Sequence, residues 1–255
     1  MAKDYFTSSG LTTSQMMSEA LKYRNEFDMK FVELVDIVDI IEFRLVEIFP
    51  RFRLLIRQDS EMAEEALAEP VRDRITVRSS VYAAACEGNP EARLVLAHEL
   101  GHFLLHREKD VPMHKDNGGA VQNIRGMKSS ESVEDQADMF ARHFLAPPHL
   151  AYRHRHAPEH LATATGIPLR IARGNATMSK WPEVHAIRAM EERSAEDHAL
   201  RGLGANPSSL NSSAPSVTEA RHPRTTTKHS HCGHSSSMAR IQQSKALDEQ
   251  TGRKL

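Results

Sequence analysis

The segment AHELGHFLLH, Ala97–His106, sets His98, Glu99 and His102 in the order H-E-x-x-H. On an α-helix, residues four apart lie on one face a turn from each other. Two imidazoles at that spacing can converge on a single zinc ion with bonds of about 2.0–2.1 Å. Glu99 is one residue on, so its carboxylate is swung around the helix. It can reach a water beside the metal rather than the metal itself. The chain holds 15 histidines, so five residues of this kind also arise by chance and need support from elsewhere. His106 sits a further turn along the same face, where the ordinary role is a cation at a helix C-terminus. Leu96, Leu100, Phe103 and Leu104 supply apolar surface. Gly101 costs about 1 kcal/mol in a helix interior, which the close approach of a strand or a substrate would justify.

A catalytic zinc takes three protein ligands and keeps one position open. About thirty residues on, ESVEDQADMFARHFLAP is acidic at its start. Ala137, Phe140, Ala141 and Phe144 recur there at helical spacing. Glu134 and Asp138 are four apart and share a face. A glutamate there could ligate zinc while Asp138 accepts a hydrogen bond from a ligand histidine, fixing its tautomer. Glu131 is the reserve candidate for the ligand. The alternative is a solvated acidic helix start, favoured by the helix dipole.

These two helices need a scaffold. Met17, Ala20, Leu21 and Phe27 follow helical spacing after the capping candidates Thr12, Thr13 and Ser14. FVELVDIVDII reads as a second helix. FRLVEIF (Phe43–Phe49), RLLIR (Arg53–Arg57) and RITVRSSVY (Arg74–Tyr82) read as strands. EMAEEALAE is a polar helix or a loop insert. Ser129 or Ser130 is positioned to cap the Glu134 helix, which stops at Pro147–Pro148. HLATATGIPLRIARGNATMSKW reads as two short helices around Gly166-Ile167-Pro168.

With 255 residues, 26% charged and 40% hydrophobic, the chain fits a globular domain with appendages. The formal charge of −1 gives no whole-chain attraction to nucleic acid or acidic membranes. Cys86 and Cys232 are too few and too far apart for a disulfide framework. MAKDYFTSSGLTTSQ has no apolar signal core, and no stretch is apolar and long enough to span a bilayer. A reducing, cytoplasmic setting is expected. From about residue 203 the chain is rich in Ser, Thr, Pro and His, and such composition predicts disorder.

LVLAHELGHFLLH followed by EDQADMFARHFLAP resembles the ImmA/IrrE metallopeptidase family. Its members carry an A-H-E-x-x-H-x-x-L helix and then an E-x-x-A-(N/D)-x-F-A helix. The lead-in ITVRSSVYAAACEGNPEARLVL is also similar, and the likeness runs roughly from Phe31 to Pro147. It implies an α+β, zincin-like fold: N-terminal helices, a small, mostly antiparallel sheet, the zinc helix and the third-ligand helix. Residues 1–150 would form that domain, 151–202 a helical extension and 203–255 a disordered tail. By the resemblance, Zn2+ is the cofactor, His98, His102 and Glu134 are its ligands, Glu99 is the general base and Asp138 supports a ligand. The chain departs at Gln136, where the family often has Glu; at Asp138, where it usually has Asn; and at Ala146, where it often has Met.

The resemblance also implies limited cuts in a regulatory protein, a helix-turn-helix repressor or antitoxin encoded nearby. The competing expectation is a zincin scaffold that binds such a partner without cutting it. A third is a DNA-binding regulator using Leu161–Asn175, whose basic face amounts to little beyond Arg170 and Arg173, so a helical cap is favoured. Tyr82, His106 and His149 are the candidates for a donor to a tetrahedral oxyanion. His229, His231, Cys232 and His234 lack the spacing of a structural zinc site.

Overall fold

The computed structural model describes residues 10–107, 130 and 132–202. All of them fall within one contact-defined unit, Met1–Asn206. Glu131, Ser129 and the tail beyond 202, with Cys232 and its histidines, lie outside the described residues.

Helix α1 (Thr13–Glu26) opens on a reciprocal cap. Thr12 accepts from the Gln15 N–H, and Gln15 Oε1 accepts from the Thr12 N–H at 2.8 Å. Next come α2 (Ile37–Asp39), a π-helical stretch (Ile40–Arg44) and α3 (Leu45–Ile48). The strand expected over Phe43–Phe49 is therefore helical. Asp36 caps the run by accepting from the Val38 and Asp39 N–H groups. Ile37, Ile40, Ile41 and Leu45 are fully buried at helical spacing, so the apolar period continues through the segment instead of switching to two.

Strands β1 (Arg53–Arg57), β2 (Ala66–Glu69) and β3 (Arg74–Arg78) make one sheet in the order β1-β3-β2. β2 pairs antiparallel to β3, and β1 pairs parallel to it, from Arg53 opposite Arg74 to Arg57 opposite Arg78. The sheet is thus mixed rather than mostly antiparallel. The tight connection Pro70–Asp73, with Asp73 at φ 51°, folds β2 back on β3 and leaves only β3's far side for β1. EMAEEALAE, expected as a helix or loop, supplies β2. Ile75 and Val77 point inward at 0% exposure. β3 ends at Arg78 because Asp59 Oδ1 accepts from Ser79 Oγ and from the Ser80 N–H, both at 3.1 Å. That seeds α4 (Ser79–Cys86), so Tyr82 lies on a helix, not on the strand.

Helix α5 (Pro90–Leu105) starts with Pro90 in its first turn and Asn89 accepting from the Glu91 and Ala92 N–H groups. It contacts β2, β3, α4 and α6 (Val133–Leu145). Phe103 anchors it edge-on to Phe49 and Phe52, with ring centroids 5.4 and 5.0 Å away. The residue that caps α6 is Ser132, through the Asp135 N–H at 3.2 Å, two positions beyond the expected Ser130. α1 packs on α6 through Tyr23–Phe140 and Phe27–Phe144 ring contacts.

Four further helices follow: α7 (Pro148–Arg153), α8 (Pro158–Thr165), α9 (Leu169–Met178) and α10 (His185–Gly202). Two buried arginines, Arg24 and Arg93, brace the core, and Arg93 reaches the end of α8. Arg24, 0% exposed, donates to the carbonyls of Phe144 and Val32. Burial lowers its pKa to about 10. Arg93 donates to the carbonyls of Val35, Thr165 and Gly166 at 2.8–3.3 Å. Gly166 ends α8 at φ 64°, and a Cβ there would lie 2.9 Å from Arg93 Nε and from Leu34 Cδ1. Gly166→Ala is therefore expected to cost about 1–3 kcal/mol, combining left-handed strain with displacement of Arg93. Urea unfolding at constant m-value measures it, and a loss below 0.5 kcal/mol would show that the Arg93 clamp yields freely.

Candidate metal centre

Helices α5 and α6 lie close enough for their side chains to share one point. Gly101 allows this: a Cβ on it would stand 3.1 Å from Phe140 Cδ1 and 3.3 Å from the Ala137 backbone. The close neighbour is thus a helix, where a strand or substrate was expected.

From α5, His98 and His102 direct their Nε2 atoms into the gap, 2.9 Å apart. From α6, Glu134 places Oε2 3.3 Å from His98 Nε2 and Oε1 3.5 Å from His102 Nε2. These three side chains form a group whose donor atoms all lie within 4.8 Å of one another. A tetrahedral ion with bonds near 2.0–2.1 Å separates its ligand atoms by about 3.3 Å. The two imidazole nitrogens and one carboxylate oxygen therefore fit zinc in type and in spacing.

The protonation pattern of the metal-free protein points the same way. Burial lowers the His98 pKa, but hydrogen bonds to Asp138 and Glu134 outweigh it and raise the group to about 10. Hydrogen bonds from His102 and His98 hold the Glu134 carboxyl well below the usual carboxylate range. Metal binding at these side chains would compete with protons, because ligand imidazoles must be unprotonated at the nitrogen that binds.

Asp138 Oδ1 lies 2.8 Å from His98 Nδ1. The proton of that bond is on Nδ1, which leaves Nε2 for the shared point. Glu99 is held by the sheet. Its Oε2 accepts the Ala68 N–H of β2 at 2.5 Å, and burial raises its pKa. That N–H is on the side of β2 away from β3, because the flanking Glu65 carbonyl already accepts from the Arg78 N–H.

His106 is not the exposed helix-end cation expected of it. It is 5% exposed, and burial lowers its pKa to about 4, so it is neutral. Its Nε2 bonds Gln136 Oε1 at 3.1 Å, and its Nδ1 lies 3.3 Å from His102 Nδ1. Among the oxyanion candidates, Tyr82 Oη donates to Glu42 Oε2 at 2.8 Å, and His149 is buried with its Nδ1 3.9 Å from Glu191. None of the three lines the cleft that reaches His98, Glu99 and Asp138. That cleft encloses about 680 Å³ between β2, α4 and α5, with Arg170 of α9 on its wall.

Two contributors escaped the sequence reading. The Ala68 N–H is a main-chain group on a short, alanine-containing strand without β-branched residues, so no side-chain pattern announces it. Gln136 stood out only as a departure from the family pattern, although it lies one turn from both Ser132 and Phe140.

No helix among the described residues is long and apolar enough to cross a membrane. No curated protein and no solved structure matches the chain. The family model Peptidase_M78, the IrrE N-terminal-like domain, does match, over residues 60–172. Compared with the likeness seen in the motifs, the match starts later than Phe31 and continues past Pro147 into α9. It takes in β2, β3, and helices α4 to α8, together with His98, Glu99, His102, Glu134 and Asp138. Through this segment the chain is similar to the IrrE N-terminal-like domain, which supports the likeness to the ImmA/IrrE metallopeptidases carried by its two motifs.

Proposed function

We propose that this chain is a zinc-dependent endopeptidase that makes limited cuts in a regulatory protein of the cytoplasm, a helix-turn-helix repressor or antitoxin. The observation that carries the reading is the convergence of His98, His102 and Glu134 beside a buried Glu99 at the end of an open cleft. His98, His102 and Glu134 are the ligands, and Asp138 orients His98. When bound, zinc supplies a Lewis acid that polarises a carbonyl and acidifies water.

The chain's own residues do the rest. Glu99 takes a proton from the attacking water and delivers it to the leaving amine, a shuttle helped by burial, which raises the carboxyl pKa. The Ala68 N–H restrains Glu99 in direction. β2 is at the sheet edge, and a peptide can pair along its outer side in extended form. A folded helix-turn-helix domain does not offer such a strand, so a linker or a frayed segment is the natural cut site, consistent with few cuts.

Direct DNA binding by Leu161–Asn175 has little support. Arg170 pairs with Glu91, and Arg173 with Glu159 at 3.4 Å, so acidic partners offset both cations of the supposed recognition helix. Leu161, Ile167 and Ala172 are buried in the main core, as expected of a cap on the peptidase.

The test is to incubate the zinc-loaded chain with the repressor encoded beside it. Discrete fragments are expected, and they should vanish with a chelator. Stable binding with no fragments at any zinc level would overturn the peptidase reading in favour of a non-cleaving partner-binding scaffold.

A further inference from the structure

The two histidines of the metal site are supported unequally. His98 rests on the carboxylate of Asp138. His102 rests on His106, and the support can be traced proton by proton. Gln136 Nε2 lies 2.8 Å from the Ser130 carbonyl oxygen, which can only accept. The amide nitrogen is therefore on that side, and Gln136 Oε1 faces His106 Nε2 at 3.1 Å. An amide oxygen also only accepts, so His106 carries its proton on Nε2. In a neutral imidazole the other nitrogen is then an acceptor. His106 Nδ1, 3.3 Å from His102 Nδ1, must receive a hydrogen bond from it. With its proton committed to Nδ1, His102 keeps the Nε2 lone pair for the point it shares with His98 and Glu134.

We infer that His106, held by Gln136, is a positioning residue that fixes the tautomer and direction of His102. This rests on the reading of His98, His102 and Glu134 as zinc ligands. It gives His106 a task on the same helix face as the H-E-x-x-H residues without making it a ligand. The chain Ser130 carbonyl–Gln136–His106–His102 also links the start of α6 to the end of α5, the two helices that must hold their spacing for the site to exist. At Gln136 a glutamate, the residue the family often has, would accept from His106 equally well. It could not donate to Ser130 when ionised, so the amide is the choice that satisfies both neighbours.

Outer partners of this kind are worth about 10–100-fold in metal affinity. The experiment is a competition titration of zinc on the full chain against a fluorescent chelator, with folding checked by circular dichroism. His106→Phe fills the same space without an acceptor and should weaken zinc by about 10–100-fold. His106→Gln can still offer an oxygen to His102 and should recover part of the loss. Gln136→Leu, which frees the His106 tautomer while leaving its ring in place, should weaken zinc by a smaller factor and serves if His106→Phe fails to fold. Nitrogen-15 chemical shifts of His102 in the zinc-loaded wild type should report a proton on Nδ1. Folded His106→Phe and Gln136→Leu proteins with wild-type zinc affinity would overturn the positioning role, as would a His102 proton found on Nε2. A wild-type chain that binds no zinc would instead overturn the ligand reading beneath it, so the two failures are distinct.

Discussion

Glu99→Gln should retain zinc at wild-type stoichiometry while cleavage of the partner falls by about 100–10,000-fold, the range that a positioned general base contributes. The substitution separates binding from chemistry because of where Glu99 points. Its carboxylate accepts the Ala68 N–H and is not one of the three groups that gather at ligand spacing. A glutamine is the same size and can accept that N–H through its amide oxygen, so the side chain should stay in place. What it loses is the capacity to take a proton from water. Single-turnover cleavage followed on gels, with zinc measured on the same samples, decides the matter. If the variant cuts as fast as wild type, another group is the base and the proton route through Glu99 is wrong. If it loses zinc as well, Glu99 shapes the metal site and its assignment as base alone fails.

The second large effect is expected in acid and has nothing to do with the metal. His143 on α6 is 1% exposed, and neither ring nitrogen has a hydrogen-bond partner among the described residues. Burial lowers its pKa from 6.5 to about 3. The sign follows from linkage. The unfolded chain binds this proton near pH 6.5 and the folded chain only near pH 3, so His143 favours unfolding as the pH falls between those values. Its full contribution is present above pH 6.5. Each unit of pH below that costs about 1.4 kcal/mol.

His143→Leu removes the titration and should make the protein more resistant to acid than wild type, by about 2–3 kcal/mol at pH 4.5 relative to the difference at pH 7.5. Chelator is included throughout, so that proton competition at the metal site does not contribute. His149, lowered to about 4 by burial, acts in the same direction, whereas Glu191, raised by burial, acts in the opposite one. Comparing the variant with wild type cancels both. Urea midpoints across that pH range measure the effect, and parallel curves for the two proteins would show that His143 is hydrated or protonated in the folded state.

Several elements were legible because their signals are local. The α1 cap needs only Thr12 and Gln15, three residues apart. α5 and α6 show their apolar faces within their own sequences, and Gly166 with Pro168 marks the break between α8 and α9. The errors came where a local signal had two readings. Phe43–Phe49 has the apolar content of a strand, but Asp36 starts a helix upstream and Ile37, Ile40, Ile41 and Leu45 continue it. Ala66–Glu69 has almost no strand signal and becomes one because β3 offers an unpaired edge. Arg74–Tyr82 reads as a single strand until Asp59, about twenty residues back, accepts from Ser79 and Ser80.

What the sequence determined by itself was the chemistry on offer: two histidines a turn apart, a glutamate between them, and a second acidic pair at helical spacing further on. Side-chain type and a 3.6-residue period suffice for that, because both are properties of neighbours along the chain. Only the tertiary structure decided that Glu134 meets His98 and His102 at ligand spacing, since this depends on how closely Gly101 lets α5 approach α6. It also decided that His106 is buried and neutral rather than an exposed cation. An ionisable group takes its charge state from the partners and the solvent around it, here Gln136 and His102, and the helix dipole alone pointed the other way.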